Sequence, residues 1–357
     1  NKTLEFYQVL PSKGNQRAQE LYEQNIFSVT RQLQYSKEYG RLALDLCIFL
    51  NGLPIITMEL KNQFTLQNTA DAVKQYKTDR DPAEKLFSFK RCIVHFAVDD
   101  NEIMMCTELK KDDSYFMPFN KGFEDGAGNP PNPNGIKTDY LWKDILTKSE
   151  FSKILENYVQ IVADKDEDTG KTSYKQIFPR YHQLKAVTML LDRAKKEGAG
   201  QRYLIQHSAG SGKSNSIAWL AHQLVTLQNG GKNIFDTVIV VTDRINLDKQ
   251  IKNTIKQFTQ VSSTVGWAKS ASDLHTLLDE GKKIIITIVH KFQFILNDIS
   301  TAYKNRTFAI IIDEAHSSQN GSLSAKMNIV ISGNVYTDDD DFEDKINTCL
   351  LYTSPSP

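Results

Sequence analysis

The chain has 357 residues and carries 43 Lys and Arg against 43 Asp and Glu, so its formal net charge at pH 7 is +0. This balance excludes a uniformly basic surface, and any attraction for nucleic acid must come from a local basic cleft. A hydrophobic fraction of 40%, with no continuous apolar membrane-length run, predicts a globular protein without a transmembrane helix. The length is enough for two domains.

The cysteines have neither metal-ligand spacing nor the density of a disulfide scaffold. They are Cys47, Cys92, Cys106 and Cys349. Isolated cysteines of this kind are typical of a reducing compartment, so we expect a cytoplasmic protein.

Residues 1–150 contain short apolar runs with few long helical patterns between them, which predicts a mixed α/β domain. The predicted strands are LDLCIFL (44–50), PIITMEL (54–60), CIVHFAV (92–98) and EIMMCTEL (102–109). Helices are expected over 69–78 and 80–87. The run GAGNPPNPNG, 126–135, has the composition of a loop.

The first two predicted strands flank an Asn-Gly pair, which is a strong hairpin signal, yet they carry three charges. With a three-residue turn over 51–53, Asp45 lies opposite Glu59. Lys61 points to the same face. Two adjacent carboxylates repel unless a cation lies between them, so we expect Asp45 and Glu59 to bind a divalent metal ion. Lys61 would then activate or orient a water.

A surface strand with a structural Glu–Lys pair is the alternative interpretation of this hairpin. In either case the opposite face is expected to join the core. That face carries Leu46, Ile48, Leu50, Met58 and Leu60.

Residues 140–162 carry apolar side chains at three-to-four spacing, which predicts a helix. The polar run KDEDTGKTS, 165–173, is typical of an exposed linker. We therefore expect a helical connector and linker at 151–175, between a first domain at 1–150 and a second domain at 176–335.

The second domain alternates helix-like stretches with wholly apolar runs, which are typical of buried parallel strands. These runs are RYLIQ, FDTVIVVT, KIIITIV and FAIIID. The pattern predicts a doubly wound α/β domain with a parallel sheet.

The segment HSAGSGKS, 207–214, lies between a predicted strand and an amphipathic helix, the context that a phosphate-binding loop requires. Its glycines let backbone N–H groups approach a phosphate, its lysine would reach the β- and γ-phosphates of ATP, and the serine after it would hold Mg²⁺. The first position of the strict pattern is His207 rather than glycine, and the alternative is a Gly-Ser loop that caps a helix. The candidate nucleotide-binding residues are Gly210, Ser211, Gly212, Lys213 and Ser214.

The run IIIDEAHSSQ, 310–319, places Asp313 and Glu314 at the end of a predicted strand. Asp313 can bind Mg²⁺ there, and Glu314 can polarise the water that attacks the γ-phosphate. A phosphate-binding loop followed by alternating strands and Asp-Glu-Ala-His resembles the superfamily-2 helicases and translocases.

Three further segments resemble motifs of that superfamily. FPRYHQLKAV resembles the segment that reads adenine, which assigns this role to Gln183 with Arg180 nearby. VVTDRINLDKQ and ITIVHKFQ resemble DNA-contacting motifs and make Thr242, Arg244 and Lys291 candidate DNA-binding residues. Ordinary solvated charges are the alternative for the two basic residues. The third motif and the second RecA-like lobe of the superfamily are not found, so we expect the chain by itself not to translocate.

The acidic run VYTDDDDFEDK, 335–345, is interpreted as solvated, with an acidic metal cluster as the alternative. The last residues, INTCLLYTSPSP, resemble no core segment. We therefore expect 336–357 to be an acidic tail that is disordered or artefactual.

The Asp…Glu-x-Lys arrangement resembles the PD-(D/E)xK nucleases, although no proline precedes Asp45. More narrowly, RLALDLCIFLNGLPIITMELKN, FMPFNKG and DYLWKDIL resemble the restriction (R, motor) subunit of type I restriction–modification enzymes, over about residues 3–335. A Gln-x-x-x-Tyr motif follows the strands of related nucleases. Gln75 is the matching candidate catalytic residue here, with Asp79 in the place of the tyrosine.

The resemblance implies a bacterial or archaeal endonuclease that uses ATP and Mg²⁺, translocates double-stranded DNA and cuts unmodified foreign DNA. It also implies methyltransferase (M) and specificity (S) subunits as partners. Two alternatives stay open. One is a helicase–nuclease of DNA repair or of another defence system, and the other is a non-catalytic, ATP-gated DNA-binding module.

Overall fold

The computed structural model describes residues 5–11, 14–36, 40–124, 126–165, 169–208, 210–242, 254–255, 264–288, 303, 306–313 and 348–355. The chain divides into two compact units, residues 1–182 and 183–357. The residues assigned from sequence to a connector, 151–175, fall within the first unit.

The first unit is built on a six-stranded sheet whose strands lie side by side in chain order. They are β1 (Phe27–Gln34), β2 (Ala43–Leu50), β3 (Leu53–Leu60), β4 (Val94–Val98), β5 (Ile103–Cys106) and β6 (Met117–Pro118). β3 and β4 run parallel, and the other neighbouring pairs are antiparallel. The four strands predicted in this region are confirmed. β1 is not predicted, because its sequence FSVTRQLQ is mostly polar and exposed.

Three α-helices accompany this sheet: α1 (Gln16–Glu23), α2 (Thr69–Thr78) and α3 (Lys148–Asn157). α2 connects the parallel strands β3 and β4, and it begins at a capping box formed by Asn68 and Asp71. The helix predicted over 69–78 is thus confirmed. The one predicted over 80–87 is wrong, because that stretch forms turns and Arg80 turns inward.

The single helix predicted over 140–162 is also wrong. Leu141–Ile145 form a π-helical turn, and α3 is a separate helix after it. The Thr147 hydroxyl caps α3 by accepting the N–H of Glu150. The β-branched residues that follow form β7 (Gln160–Lys165), which pairs antiparallel with β8 (Thr172–Ile177). In the run predicted to be a linker, 165–173, Lys165 ends β7 and Thr172 begins β8.

The β2–β3 hairpin turns over two residues rather than the predicted three. Asn51 and Gly52 have φ values of 47° and 85°, so Leu50 pairs with Leu53. An irregularity at Ile48/Phe49 then shifts the register by one residue. The shift restores the predicted alignment at the far end of the hairpin, where Asp45 follows in register opposite Glu59.

The predicted core face of this hairpin is wrong in part. β3 is buried on both faces from Pro54 to Glu59, because it lies between β2 and β4 and contacts α2. Leu60 is 40% exposed, whereas Leu44 and Cys47 of β2 are fully buried. The core beneath α2 includes Leu44, Cys47, Ala72, Tyr76, Phe87 and Ala97.

The second unit contains a six-stranded sheet in which all neighbouring strands are parallel. Its strands are β9 (Arg202–His207), β12 (Thr237–Thr242), β13 (Val265–Trp267), β14 (Ile284–Ile288), β15 (Phe308–Ile312) and β16 (Thr348–Pro355). They lie in the order β13-β14-β12-β15-β16-β9. A small hairpin, β10 (Gln228–Asn229) and β11 (Lys232–Asn233), and the helices α4 (Tyr181–Glu197), α5 (Lys213–Val225) and α6 (Ala271–Asp279) complete the described part.

The parallel α/β fold predicted for this unit is confirmed. One difference concerns the tail. Residues 348–355 were expected to lie outside the fold, and the structure instead pairs them as β16 with both β15 and β9. The run CLLYT supplies apolar and β-branched residues suited to a strand. In the parts of the chain that the structure describes, no helix is long and apolar enough to cross a membrane.

We predict that Gly52→Ala lowers the free energy of unfolding by about 1 kcal/mol. An added Cβ meets no atom within 4 Å, so the cost comes from the backbone φ of +85° alone. Gly40→Ala is the matched control, because Gly40 has equally open surroundings and no positive φ. Denaturant titration checks both variants, and equal effects would contradict the argument.

Candidate nuclease and nucleotide-binding sites

The hairpin brings Asp45 and Glu59 together on adjacent strands. One Asp45 oxygen, Oδ2, accepts the backbone N–H of Leu60 at 2.8 Å, and Oδ1 accepts the side-chain amide of Gln32 at 3.0 Å. These two neutral donors fix the Asp45 carboxylate at the end of β3, beside Glu59.

Glu59 is fully buried, and only one of its two carboxylate oxygens has a hydrogen-bond donor among the described residues. Its Oε1 accepts Nε–H of Arg80 at 2.6 Å, whereas its Oε2 has no hydrogen-bond donor among the described residues. Burial raises the pKa of Glu59 to about 7, Arg80 opposes the rise, and the Asp45 carboxylate adds to it. Glu59 therefore presents one unpaired oxygen next to a second carboxylate.

Lys61 and Gln75 complete this group. The Lys61 ammonium donates to Gln75 Oε1 at 2.7 Å, and the Lys61 backbone N–H donates to the Val98 carbonyl at 2.8 Å. Gln75 lies on α2, which passes over the sheet between β3 and β4. The structure thus sets Asp45 beside Glu59 and bonds Lys61 to Gln75, and these residues lie on β2, on β3, directly after β3 and on α2.

Arg80 was not found from the sequence. It follows the end of α2 and is 3% exposed. Beyond Glu59, its Nη1 donates to the Tyr35 hydroxyl at 3.0 Å and its Nη2 to the Ala43 carbonyl at 2.9 Å. Its position within a stretch predicted to be helical gave no sign of burial, and only the charge of Glu59 on a buried strand could have suggested a cationic partner.

A second polar group lies in the core beside the carboxylates. The Thr57 hydroxyl lies 2.9 Å from the Tyr76 hydroxyl and 2.6 Å from His95 Nδ1. Burial lowers the pKa of His95 to about 3, so the ring is neutral. His95 is a core residue.

The carboxylate pair fits a divalent cation by its chemistry. Oε2 of Glu59 is a buried acceptor without a donor, and Asp45 can supply only acceptors when ionised. No group of three or more Asp, Glu, His or Cys suited to a metal occurs among the described residues. Two carboxylates agree with Mg²⁺, which commonly binds one or two protein carboxylates together with waters and substrate phosphate.

In the second unit, the predicted phosphate-binding loop joins β9 to α5. Gly210 and Gly212 have φ values of 73° and 81°, the left-handed conformation that glycine adopts without strain. No side chain caps the N-terminus of α5, which begins at Lys213. A helix start that lacks a side-chain cap is suited to an anion.

Gln183 lies 3% exposed in the first turn of α4 and donates its side-chain amide to the Gly212 carbonyl at 2.9 Å. A Cβ on Gly212 would lie 2.5 Å from that amide nitrogen. Glycine is thus favoured at 212 by its positive φ, and any larger residue there would also displace the Gln183 amide. Arg180 belongs to the first unit and precedes α4.

Asp313 directly follows β15, is 4% exposed, and donates its N–H to the Val241 carbonyl at 2.9 Å. β16 separates β15 from β9, so Asp313 and the loop lie at the same carboxyl edge, two strand spacings or about 10 Å apart across the sheet. Thr242 is fully buried, with its hydroxyl 3.5 Å from the Thr287 carbonyl. Burial leaves its side chain no access to DNA in this structure, contrary to the expectation. Glu314, Arg244 and Lys291 lie outside the described residues.

The two units match two protein families. Residues 182–337 match the model described as SWI2/SNF2 ATPase, which agrees with the parallel sheet and loop of the second unit. Residues 7–114 match the model described as type I restriction enzyme R protein N terminus. The chain is thus similar in its first part to the N terminus of type I restriction enzyme R proteins and in its second part to SWI2/SNF2 ATPases.

Proteins named as type I restriction enzyme endonuclease subunits align with most of this chain. The type I restriction enzyme HindI endonuclease subunit of Haemophilus influenzae is 28% identical over 83% of this chain and 28% of its own length. A type I restriction enzyme endonuclease subunit of Staphylococcus aureus is 24% identical over 84% of this chain and 30% of its own. The chain therefore spans less than a third of the length of the curated relatives it matches.

Among solved structures, the UvsW helicase of bacteriophage T4 aligns over 58% of this chain and 60% of its own, at 15% identity and a TM-score of 0.36. A likeness of this size adds nothing to the fold described above.

We predict that, without metal, Glu59 stabilises the first unit at low pH and not at high pH. Its folded pKa of about 7 lies above the unfolded value of 4.5, so the contribution is complete below about pH 4.5 and is lost as the pH rises through about 7. Relative to Glu59→Gln, the wild type should lose up to about 3 kcal/mol between pH 4 and pH 8.

Hydrogen exchange of β3 amides measures this difference. His95 has a folded pKa of about 3 against 6.5 unfolded and contributes in the opposite sense, but it is present in both proteins and cancels in the comparison. A difference between the two proteins that does not change with pH would contradict the prediction.

Proposed function

We propose that this chain is the nuclease unit and first motor lobe of a type I restriction enzyme. It cuts DNA phosphodiester bonds with Mg²⁺, and ATP-driven movement along double-stranded DNA is coupled to the cut. The observation that carries the proposal is the Asp45 carboxylate beside Glu59, whose buried Oε2 lacks a donor among the described residues. Lys61, two residues after Glu59, is held by Gln75. The phosphate-binding loop in the same chain supports the motor.

In the nuclease unit, Asp45 and Oε2 of Glu59 would hold the divalent ion. When bound, such an ion polarises a scissile phosphate and lowers the pKa of a water. Lys61, held by Gln75, is placed to orient the attacking water and to stabilise charge on a phosphate oxygen. The water oxygen bonds to phosphorus, the bond from phosphorus to one deoxyribose oxygen breaks, and that oxygen leaves with a proton.

In the motor lobe, the glycines of the loop and the start of α5 bind phosphate oxygens through backbone N–H groups. Lys213 would neutralise the β- and γ-phosphates, while Ser214 and Asp313 would hold Mg²⁺. Glu314, the next residue, polarises the water. Gln183 contacts the loop backbone in this structure, so we assign it to positioning the loop as well as to the adenine site.

The partners follow from the proteins to which this chain is similar. Relatives named as type I restriction endonuclease subunits support double-stranded DNA as the substrate and methyltransferase (M) and specificity (S) subunits as partners. Arg244 and Lys291 are proposed DNA contacts. The non-catalytic alternative is disfavoured because Asp45, Glu59 and Lys61 are all present and adjacent.

We predict that the two sites can be inactivated separately in the full-length subunit assembled with its partners. Glu59→Ala should reduce plasmid cleavage by about 100-fold or more and leave ATP hydrolysis unchanged, because it removes charge only from the nuclease unit. Lys213→Ala should abolish ATP hydrolysis and, with it, cleavage. Both activities are measured with ATP and Mg²⁺.

Matched controls are Glu102→Ala and Lys232→Ala, which remove the same charges from exposed positions of the first and second units. Both should behave as wild type. Normal cutting by Glu59→Ala would show that the hairpin is structural and would overturn the nuclease assignment.

A further inference from the structure

The Arg80–Glu59 ion pair is buried at both ends. The side chains are 3% and 0% exposed, and Nε of Arg80 lies 2.6 Å from Oε1 of Glu59. Each charge would be costly to bury alone, because low-dielectric surroundings replace its water shell.

Arg80 bonds only one oxygen of Glu59. A guanidinium facing a carboxylate commonly forms two parallel hydrogen bonds to both oxygens. Here the remaining nitrogens are directed elsewhere, Nη1 to the Tyr35 hydroxyl and Nη2 to the Ala43 carbonyl. The second Glu59 oxygen, Oε2, is left without a donor although it is buried, which an ion pair serving stability alone would not require.

Arg80 is also fixed in place. Its three bonds reach β3, the start of β2 and the residue just beyond β1, and its guanidinium carbon lies 5.4 Å from the centre of the Tyr35 ring. A side chain that is bonded on three sides and nearly without exposure cannot extend to a DNA substrate. Any role in cleavage must therefore act through Glu59.

We propose that Arg80 is a positioning residue that fixes Oε1 of Glu59 and so makes Oε2 the single oxygen that Glu59 offers to the metal ion. The inference rests on the proposed nuclease function. Asp45 is oriented in a parallel way by the neutral donors Gln32 and Leu60. The hydrogen bonds from Arg80 to Glu59, and from Gln32 and Leu60 to Asp45, thus orient both carboxylates before a metal ion binds.

Two effects of removing Arg80 oppose each other. Loss of its charge reduces repulsion of an incoming cation, whereas loss of its bond lets Glu59 rotate and leaves a buried carboxylate without a cationic partner. The proposal requires the second effect to be larger. Metal ligands whose supporting hydrogen bonds are removed typically lose about 10- to 100-fold in metal affinity.

The test is Mn²⁺ binding to the full-length subunit in the absence of nucleotide, followed by the electron paramagnetic resonance signal of free Mn²⁺. The component lost in Glu59→Gln defines the nuclease site. That component should weaken at least about tenfold in Arg80→Met. In Arg80→Lys, which keeps the charge but not the three-way bonding, the loss should be intermediate.

ATP hydrolysis should be unchanged in every variant, and Arg17→Met, which removes an exposed arginine of the same unit, should bind Mn²⁺ as wild type does. Arg80→Met that binds Mn²⁺ as tightly as wild type, or more tightly, overturns the inference. If Arg80→Met does not fold, Arg80→Lys decides alone, and wild-type affinity in that variant overturns it. If Glu59→Gln loses no Mn²⁺, the proposed nuclease site fails instead.

Discussion

A single buried carboxylate constrains the first unit more than any other side chain. Glu59 lies in β3, which has a neighbouring strand on each side, so its charge cannot be solvated. An ionised group in such a place needs a cation and hydrogen bonds. Arg80 supplies the cation, and its other bonds tie the segment after α2 to Tyr35 and Ala43. The packing around β1, β2 and α2 is therefore linked to the ionisation of one residue.

The remaining residues of that site are positioned by strand pairing and by one helical crossover. The irregularity at Ile48/Phe49 sets the alignment of β2 with β3 and so the approach of Asp45 to Glu59. Because β3 and β4 are parallel, the chain between them must cross the sheet, and α2 makes this crossing. This crossing brings Gln75 within hydrogen-bond distance of the Lys61 ammonium. The site thus combines local hairpin geometry with a long-range connection.

The nucleotide site follows a different physical rule. In a parallel sheet all strands end at one edge, and Asp313 after β15 lies at the same edge as the loop after β9. The loop itself is a local structure, since two glycines with positive φ and the start of α5 are contiguous in sequence. Gln183 adds a contact from α4 that holds the loop from outside. The proposed phosphate binding in this unit would depend mainly on backbone groups, and the proposed metal binding in the first unit would depend on side chains.

The sequence by itself determined four strands in the sheet of each unit, the α2 helix, the phosphate-binding loop and the candidate residues Asp45, Glu59, Lys61 and Gln75. Each of these is carried by apolar periodicity, by turn chemistry or by a contiguous motif. Only the tertiary structure decided the two-residue turn with its compensating irregularity, the break near Thr147, the place of β16 and the inward turn of Arg80. These depend on contacts between residues far apart in the chain, such as Arg80 with Ala43 and Tyr35. A sequence pattern records which side chains prefer burial, whereas the partner of a buried charge is fixed only when the sheet and helix pack.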